Sequence, residues 1–278
     1  MPNESALRFA LNHMVAPSLS ADEFFALSAR LGCSEVEIRN DLKGTAILDG
    51  TPAAAIRESA RRHGQKILTI NALQRFNDWT SARAAEAAEL ANWCRDIGAE
   101  ALILVPTNDG TGCADGERQE NLRTALRGLQ PILETAGIIG YIEPLGFAQC
   151  SLRYKSEAAA AILDLGLKNR FRITHDTFHH HLAGESAMFP ELTGLIHISG
   201  VEDPTVGVDD MLDAHRVLVG PGDRLENTTQ IAALLTAGAT APCSFEPFAD
   251  DIHRTPDIAG TLAASMLYIR SALAQKAA

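Results

Sequence analysis

The chain has 278 residues, of which 46% are hydrophobic and 21% are charged, and its formal net charge is −11. This composition excludes a disordered chain, which has too few hydrophobic residues to form a core, and it argues against nucleic-acid binding, which normally needs a basic surface. The length suits one α/β-barrel domain of about 250 residues, so we expect residues 1–278 to form a single domain.

Short apolar runs, several of them rich in β-branched residues, predict eight β-strands at intervals along the chain. In chain order they are Phe9–Met14, Glu35–Arg39, Lys66–Leu73, Ala101–Pro106, Ile138–Leu145, Phe171–Thr177, Gly194–Gly200 and Pro242–Phe248.

Longer amphipathic runs between these strands predict helices. They cover Ala21–Leu31, Pro52–His63, Ser81–Ile97, Gly116–Ala136, Ser156–Leu165, Glu226–Ala237 and Pro256–Ala274. A weaker pattern predicts one more helix at Ser186–Leu192, between the sixth and seventh strands. Ser20 and Glu23 have the spacing of a capping box, which supports a helix start at that point.

The alternation of strands and helices predicts an α/β protein with a parallel sheet, and eight repeats predict closure into a single (β/α)8 TIM barrel. A doubly wound open sheet is the structural alternative. That fold usually has a glycine-rich nucleotide loop after its first strand, and Asn12–Val15 contains no glycine.

The segment Val201–Leu225 is the longest part of the chain without a clear element, and it lies between the seventh strand and the next helix. Loops that follow barrel strands lie at the catalytic face. We therefore expect this segment to form a lid over the site.

Two further features concern the surroundings of the protein. Residues Met1–Arg8 lack the basic and apolar build of a signal peptide, so we expect a cytoplasmic protein that binds no membrane. The five cysteines are odd in number and have no metal-binding spacing, so we expect reduced thiols. They are Cys33, Cys94, Cys113, Cys150 and Cys243.

Ionisable residues stand at the ends of the last four predicted strands. Because adjacent barrel strands bring their carboxyl ends together, we expect these side chains to meet at one point. Three carboxylates and an imidazole suit Mn²⁺, Mg²⁺, Co²⁺ or Zn²⁺, and the sequence does not choose among them. The predicted ligands of this one divalent metal ion are Glu143, Asp176, His197 and Glu246.

Each of these residues also has a structural interpretation. Asp176 could cap a helix, and a lone His197 would more often be a hydrogen-bonded core histidine. Glu143 and Glu246 follow apolar runs, where an unpaired carboxylate would be costly to bury. Of the three consecutive histidines His179–His181, we expect only the first to face the site, because neighbouring side chains cannot all point to one ion.

Several segments resemble the sugar isomerase/epimerase group of xylose-isomerase-like barrels, and within that group the inosose (2-keto-myo-inositol) isomerases. The resemblance covers nearly the whole chain. The segments that carry it are Glu35–Arg39, Ile70–Leu73, Ile142–Gly146 with Gln149 and Cys150, His175–His179, His197–Ser199 with Glu202 and Asp203, Arg216 with Gly220–Gly222, and Ser244–Glu246.

The resemblance implies the same four metal ligands, and it implies that His179 and Arg216 contact the substrate. It also implies an enzyme that moves a carbonyl group on a sugar or inosose through a cis-enediolate. We assign proton removal and proton delivery to Glu143 and Glu246, in either order, and hydroxyl contacts to Asn71 and Glu37.

Other functions stay open, because Ser199, Gly200, Pro247 and Phe248 depart from the isomerase pattern. An inosose- or dehydroshikimate-type dehydratase and a free ketose 3-epimerase would use a similar site. An endonuclease IV-like nuclease would need more metal ligands, and a binding-only protein would need no acid/base pair. We expect a small-molecule sugar or inosose partner and no nucleic acid, and the sequence leaves open whether copies of the chain form a homo-oligomer.

Overall fold

The computed structural model describes residues 7–42 and 50–277, so residues 1–6, most of the polar start, lie outside the described ranges. The strands are β1 (Phe9–Asn12), β2 (Glu35–Arg39), β3 (Lys66–Gln74), β4 (Ala101–Val105), β5 (Ile139–Ile142), β6 (Phe171–Asp176), β7 (Thr193–Ile198) and β8 (Cys243–Phe245). The helices are α1 (Ala21–Arg30), α2 (Ala53–Arg62), α3 (Ser81–Ile97), α4 (Glu117–Ala136), α5 (Lys155–Asp164), α6 (Thr177–Ala183), α7 (Asn227–Thr236), α8 (Asp250–His253) and α9 (Ile258–Ala277).

The strands form one closed barrel in sequence order. Every neighbouring pair is parallel, and β1 closes the barrel by pairing with β8. The predicted (β/α)8 TIM barrel is therefore confirmed. All eight predicted strands are present, although several end earlier than the apolar runs from which they were predicted.

The helix predicted at Ser186–Leu192 was wrong, because that segment has no helical structure and Phe189 has a φ of 53°. The helix in this part of the barrel is α6, which starts directly after β6. The side chain of Asp176 starts it by accepting hydrogen bonds from the backbone amides of Phe178 and His179. Gly184 ends it with a φ of 65°, a conformation that glycine adopts without steric cost.

Side chains on the two faces of the strands form two separate apolar layers. The larger layer lies between the strands and the helices and includes Leu102 and Leu104 of β4. The smaller layer includes Ala101 and Ile103 of the same strand, so it fills the inside of the barrel. Because successive strand residues point to opposite faces, this alternation also brings every second strand residue toward the barrel interior.

All five cysteines are free thiols, and four of them are buried. Burial raises the pKa of Cys33 to about 11, of Cys150 to about 11 and of Cys243 to about 12. Cys113, in the segment between β4 and α4, is partly exposed. Across the described ranges, none of the helices combines the length and the apolar content that a membrane crossing requires.

Candidate metal centre

Four buried side chains from four adjacent strands converge at the carboxyl end of the barrel. Asp176 ends β6 and is the register partner of His197 in β7, while Glu143 and Glu246 directly follow β5 and β8. One ligand atom from each residue lies within 4.8 Å of the other three. Parallel pairing therefore produces the convergence that the strand ends predicted.

The distances within this cluster match the space that one ion requires. His197 Nδ1 lies 2.6 Å from Glu143 Oε1, 3.2 Å from Glu246 Oε2 and 3.9 Å from Asp176 Oδ2. Two atoms bound to one zinc ion at about 2.0–2.2 Å can be no more than about 4.4 Å apart. Small side-chain movements would bring the whole set to that spacing, so the residues fit a divalent ion.

Asp176 uses its two carboxylate oxygens in different ways. Its Oδ1 accepts from the amides of Phe178 at 2.7 Å and His179 at 3.1 Å, and it thereby starts α6. Its Oδ2 faces the cluster and accepts from Arg216 Nη2 at 2.6 Å. The helix cap and the candidate ligand, which the sequence offered as alternatives, are the same side chain.

Glu246 lies between two guanidinium groups. Arg39 Nη1 donates to Oε1 at 2.8 Å, and Arg216 Nη2 donates to Oε2 at 3.1 Å. Burial raises the pKa of this carboxyl, but His197 together with Arg216 and Arg39 outweighs burial and holds the pKa of Glu246 well below its usual range. Glu246 is therefore kept as a carboxylate.

Glu143 is held differently, because its hydrogen bond is with His197 and not with an arginine. Burial raises the pKa of Glu143, and the nearby carboxylates of Glu246 and Asp176 act in the same direction. His197 favours the charged form of both glutamates, and only Glu246 has arginine partners, so the two side chains that we expect to transfer protons differ in their electrostatic surroundings.

A cleft of about 270 Å³ opens above the cluster. This volume is close to the lower end of the range of about 300–1,000 Å³ for small-molecule pockets, so the cleft suits a ligand of monosaccharide size. Its walls are made by Arg39, Asn71, Gln74, Arg75, Val105, Pro106, Asn108, Glu143, Leu145, Phe147, His179, Asp213, Arg216, Glu246 and Phe248.

Two of the residues expected to contact substrate, His179 and Arg216, line this cleft. The buried Nδ1 atom of His179 has no hydrogen-bond partner in the described structure, so it is free to bond a ligand. Arg216 comes from the long segment after β7 and is only 1% exposed. Its guanidinium group packs over the rings of Phe178 and Phe248.

The other two expected substrate contacts, Asn71 and Glu37, lie at different depths in the barrel. Asn71 lines the cleft, and its amide nitrogen donates to Glu37 Oε2 at 2.8 Å. Glu37 is 0% exposed and does not line the cleft, because it lies two residues before the end of β2. A strand rises about 3.3 Å per residue, so this position lies deeper in the barrel than Arg39 does. Glu37 thus lies below the cleft wall, and its contact with a substrate hydroxyl stays a prediction.

Sequence reasoning assigned no role to Arg39 or Asn12, although both contact Glu246. Asn12 Nδ2 donates to Glu246 Oε1 at 3.2 Å, beside the bond from Arg39. A signal was present in β2, where Glu35, Glu37 and Arg39 alternate with apolar residues and must share the interior face. His180 and His181 stand outside the cleft wall.

Comparison with known proteins identifies the relatives of this chain. Inosose isomerase of Bacillus velezensis is 26% identical over 237 residues, which is 82% of this chain and 83% of that protein. A crystal structure of a xylose isomerase domain-containing protein from Salmonella typhimurium LT2 has a TM-score of 0.88 and 32% identity, covering 97% of this chain and 98% of the other.

A structure of the IolI protein with a zinc atom has a TM-score of 0.84 over 97% of this chain and 99% of that one, and at 19% identity the likeness concerns the fold. A model of the xylose isomerase-like TIM barrel family matches residues 25–272. Because that match covers most of the chain and agrees with the resemblance seen in the sequence, this protein belongs to the xylose isomerase-like TIM barrel family.

Proposed function

We propose that this protein is a divalent-metal-dependent isomerase that moves a carbonyl group between neighbouring carbons of a sugar or inosose. The observation that carries the proposal is the convergence of four ligand atoms within 4.8 Å at the floor of a small polar cleft. The 26% identical relative is named inosose isomerase, which makes 2-keto-myo-inositol the first substrate to test.

In this proposal Glu143, Asp176, His197 and Glu246 hold the metal ion. The ion would act as a Lewis acid that polarises the substrate carbonyl and stabilises the charge of the enediolate. The donor set does not choose among Mn²⁺, Mg²⁺, Co²⁺ and Zn²⁺.

The proton transfers are assigned to the two glutamates. One carboxylate removes the proton from the carbon beside the carbonyl group, and the electron pair of that C–H bond forms the carbon–carbon double bond of the enediolate. The other glutamate delivers a proton to the former carbonyl carbon. The proton of the neighbouring hydroxyl group passes to the former carbonyl oxygen, which becomes a hydroxyl, and the electron pair left on the neighbouring oxygen forms the new carbonyl. Both side chains reach the same cleft, as these transfers require.

The remaining contacts would orient the substrate. His179 would hydrogen-bond a substrate oxygen through its unpartnered Nδ1, and Arg216 would reach the ligand from the loop above. Asn71, which also lines the cleft, would contact a hydroxyl group. The apolar walls at Phe147 and Phe248 would exclude water from the reacting atoms.

The test combines metal analysis with a reaction assay. We expect one metal ion per chain in the purified protein, loss of that ion in Glu143→Ala, and its retention in Glu134→Ala, a change at a side chain that is 66% exposed. NMR of 2-keto-myo-inositol in D₂O with the metal-loaded protein should then show deuterium incorporation and a shifted ketone.

The same assay separates the alternatives. An unsaturated product would indicate a dehydratase, and inversion at one carbon of a free ketose would indicate an epimerase. Metal without turnover of any such substrate would indicate a binding protein. A protein that retains no metal under any loading condition would contradict the proposal. A nuclease is disfavoured by the net charge of −11 and because the described residues contain one such ligand cluster.

A further inference from the structure

We propose that Glu37 is a positioning residue for the metal centre: it accepts the Nε2 proton of His197 and so presents the unprotonated Nδ1 of that ring to the ion. This inference rests on the proposed function, since it concerns the same metal site. It gives Glu37 a role other than the substrate contact expected from the sequence.

The first support is that the imidazole ring of His197 lies between the ligand cluster and the carboxylate of Glu37. His197 Nδ1 faces the cluster, 2.6 Å from Glu143 Oε1. The opposite nitrogen, Nε2, lies 3.1 Å from both Oε1 and Oε2 of Glu37. Both side chains are fully buried, so the contact between Nε2 and Glu37 is shielded from bulk solvent. The carboxylate of Glu37 therefore determines what His197 Nε2 can bond.

The second support is the way in which Glu37 itself is held. Its Oε1 accepts from Ser244 Oγ at 2.5 Å, and its Oε2 accepts from Thr69 Oγ1 at 2.7 Å and Asn71 Nδ2 at 2.8 Å. Ser244 is the register partner of His197, and Thr69 is the register partner of Glu37. Donors from β3, which pairs with β2, and from β8 across the barrel interior thus fix the orientation of this carboxylate.

The contact with Glu37 determines which nitrogen of His197 carries the proton. An ionised carboxylate only accepts hydrogen bonds, so His197 must carry its proton on Nε2 to bond Glu37. A neutral imidazole has one protonated nitrogen, which leaves the lone pair on Nδ1 for a metal ion. A carboxylate behind a metal-bound histidine fixes both the tautomer and the ring orientation, and losing it typically weakens metal binding about 10- to 100-fold.

The test measures Zn²⁺ binding to the full chain by calorimetry after chelator treatment. We expect Glu37→Gln to weaken Zn²⁺ binding about 10- to 100-fold, because the amide can donate to Nε2 and favour the wrong tautomer. The matched control is Glu35→Gln on the same strand. Glu35 pairs with Arg8 at the other end of the barrel, so its replacement should leave the affinity unchanged.

A measurement on the unaltered protein gives an independent answer if Glu37→Gln does not fold. Proton–nitrogen correlation NMR of the Zn²⁺-loaded protein should show His197 with a protonated Nε2 and a metal-bound Nδ1. A protonated Nδ1, or an affinity in a folded Glu37→Gln equal to that of the natural chain, would overturn this inference and leave the metal site intact. Failure of the natural chain to bind any metal would overturn both the inference and the proposed function.

Discussion

At the scale of single residues, the candidate ligands serve the fold and the site through different atoms. Asp176 starts α6 with one oxygen and faces the cluster with the other. His197 contacts Glu143 through one nitrogen and Glu37 through the other. Substitutions at these two positions will therefore change local structure as well as chemistry, whereas Glu246, which follows its strand, allows the chemistry to be tested with less effect on the fold.

Glu246→Gln should reduce kcat at least about 100-fold, the least that a positioned acid or base typically contributes. The fold should survive, since Arg39 keeps its pairing with Asp41 and Arg216 keeps its pairing with Asp213. Steady-state kinetics with thermal unfolding on the same sample checks both parts. Glu134→Gln, on the exposed face of α4, is the control, and more than about a tenth of the activity in Glu246→Gln would contradict the acid/base role.

His13 should make the protein sensitive to acid. Burial, with a smaller effect of the Arg39 charge, outweighs the hydrogen bond to the Leu19 carbonyl and lowers the pKa of His13 from its ordinary 6.5 to about 4. Since protonation favours the unfolded chain, the contribution of His13 is fully present above pH 6.5 and is lost as the pH falls from 6.5 toward 4. The loss amounts to about 3 kcal/mol at most.

Urea unfolding at about pH 7.5 and about pH 4.5 tests this prediction, because the free energy of unfolding should fall less in His13→Gln than in the natural chain. The variant loses the stacking on Phe24 at both pH values, so the difference between the two pH values isolates the titration. Equal losses in the two proteins would assign the acid sensitivity to other groups, such as the buried His175.

The sequence predicted which strands carry ionisable residues, but it did not predict their depth. Glu37 and Arg39 lie on the same predicted strand, yet Arg39 lines the cleft and Glu37, two residues earlier in β2, lies below the cleft wall. The alternation of β2 contained this information, because Glu37 precedes the end of the strand. The contact of Arg39 with Glu246 joins β2 to the end of β8, and no local pattern reports such a pairing.

At the scale of elements, α6 and the segment after β7 form one packed unit above the cluster. Phe178 and Leu182 of α6 pack against Val201, Met211 and Leu225 of that segment. This apolar contact holds Arg216 over the cleft. The segment expected to form a lid therefore packs on α6 and contributes Asp213 and Arg216 to the cleft wall.

Gly146→Ala should disturb this unit. A Cβ atom at position 146 would lie 2.0 Å from the carbonyl oxygen of His179 and 2.8 Å from the amide nitrogen of Ala183, so α6 would have to move. Overpacking of this kind typically costs about 1–3 kcal/mol, or several degrees in Tm. We also expect KM to rise, because His179 moves with the helix.

Thermal unfolding and steady-state kinetics measure the two effects of Gly146→Ala. The control is Gly207→Ala, where a Cβ atom would meet only the flexible side chain of Asp210, at 3.1 Å. If Gly146→Ala and Gly207→Ala have the same Tm and KM, then α6 does not depend on this close approach.

The elements show where sequence patterns succeed. All eight strands were predicted because apolar runs of that length, separated by amphipathic helices, fit a buried parallel sheet. The helix α6 was missed because its seven residues include three histidines and give no clear amphipathic period. It forms where Asp176 caps the first turn, an effect that is visible only once β6 is known to end at that residue.

At the scale of the whole molecule, the two ends of the barrel carry different kinds of side chain. The amino-terminal end is lined by partly exposed ion pairs, such as Arg8 with Glu35 and Lys66 with Glu100. The carboxyl end holds the cluster and the cleft. This division lets substitutions at one end change stability with little effect on the chemistry at the other, which is why Glu35 serves as a control for Glu37.

Because four of the five thiols are buried, thiol alkylation can follow the unfolding of the barrel. Alkylating reagents attack an accessible thiolate, and the buried groups offer neither access nor ionisation, with the pKa of Cys33 raised to about 11 and that of Cys243 to about 12. Iodoacetamide should therefore add a single group, at Cys113, to the folded protein, and intact mass spectrometry would count it. Each further adduct, up to five in total, would show that a buried cysteine has become accessible. The rate at which these adducts appear would therefore measure the kinetics of unfolding.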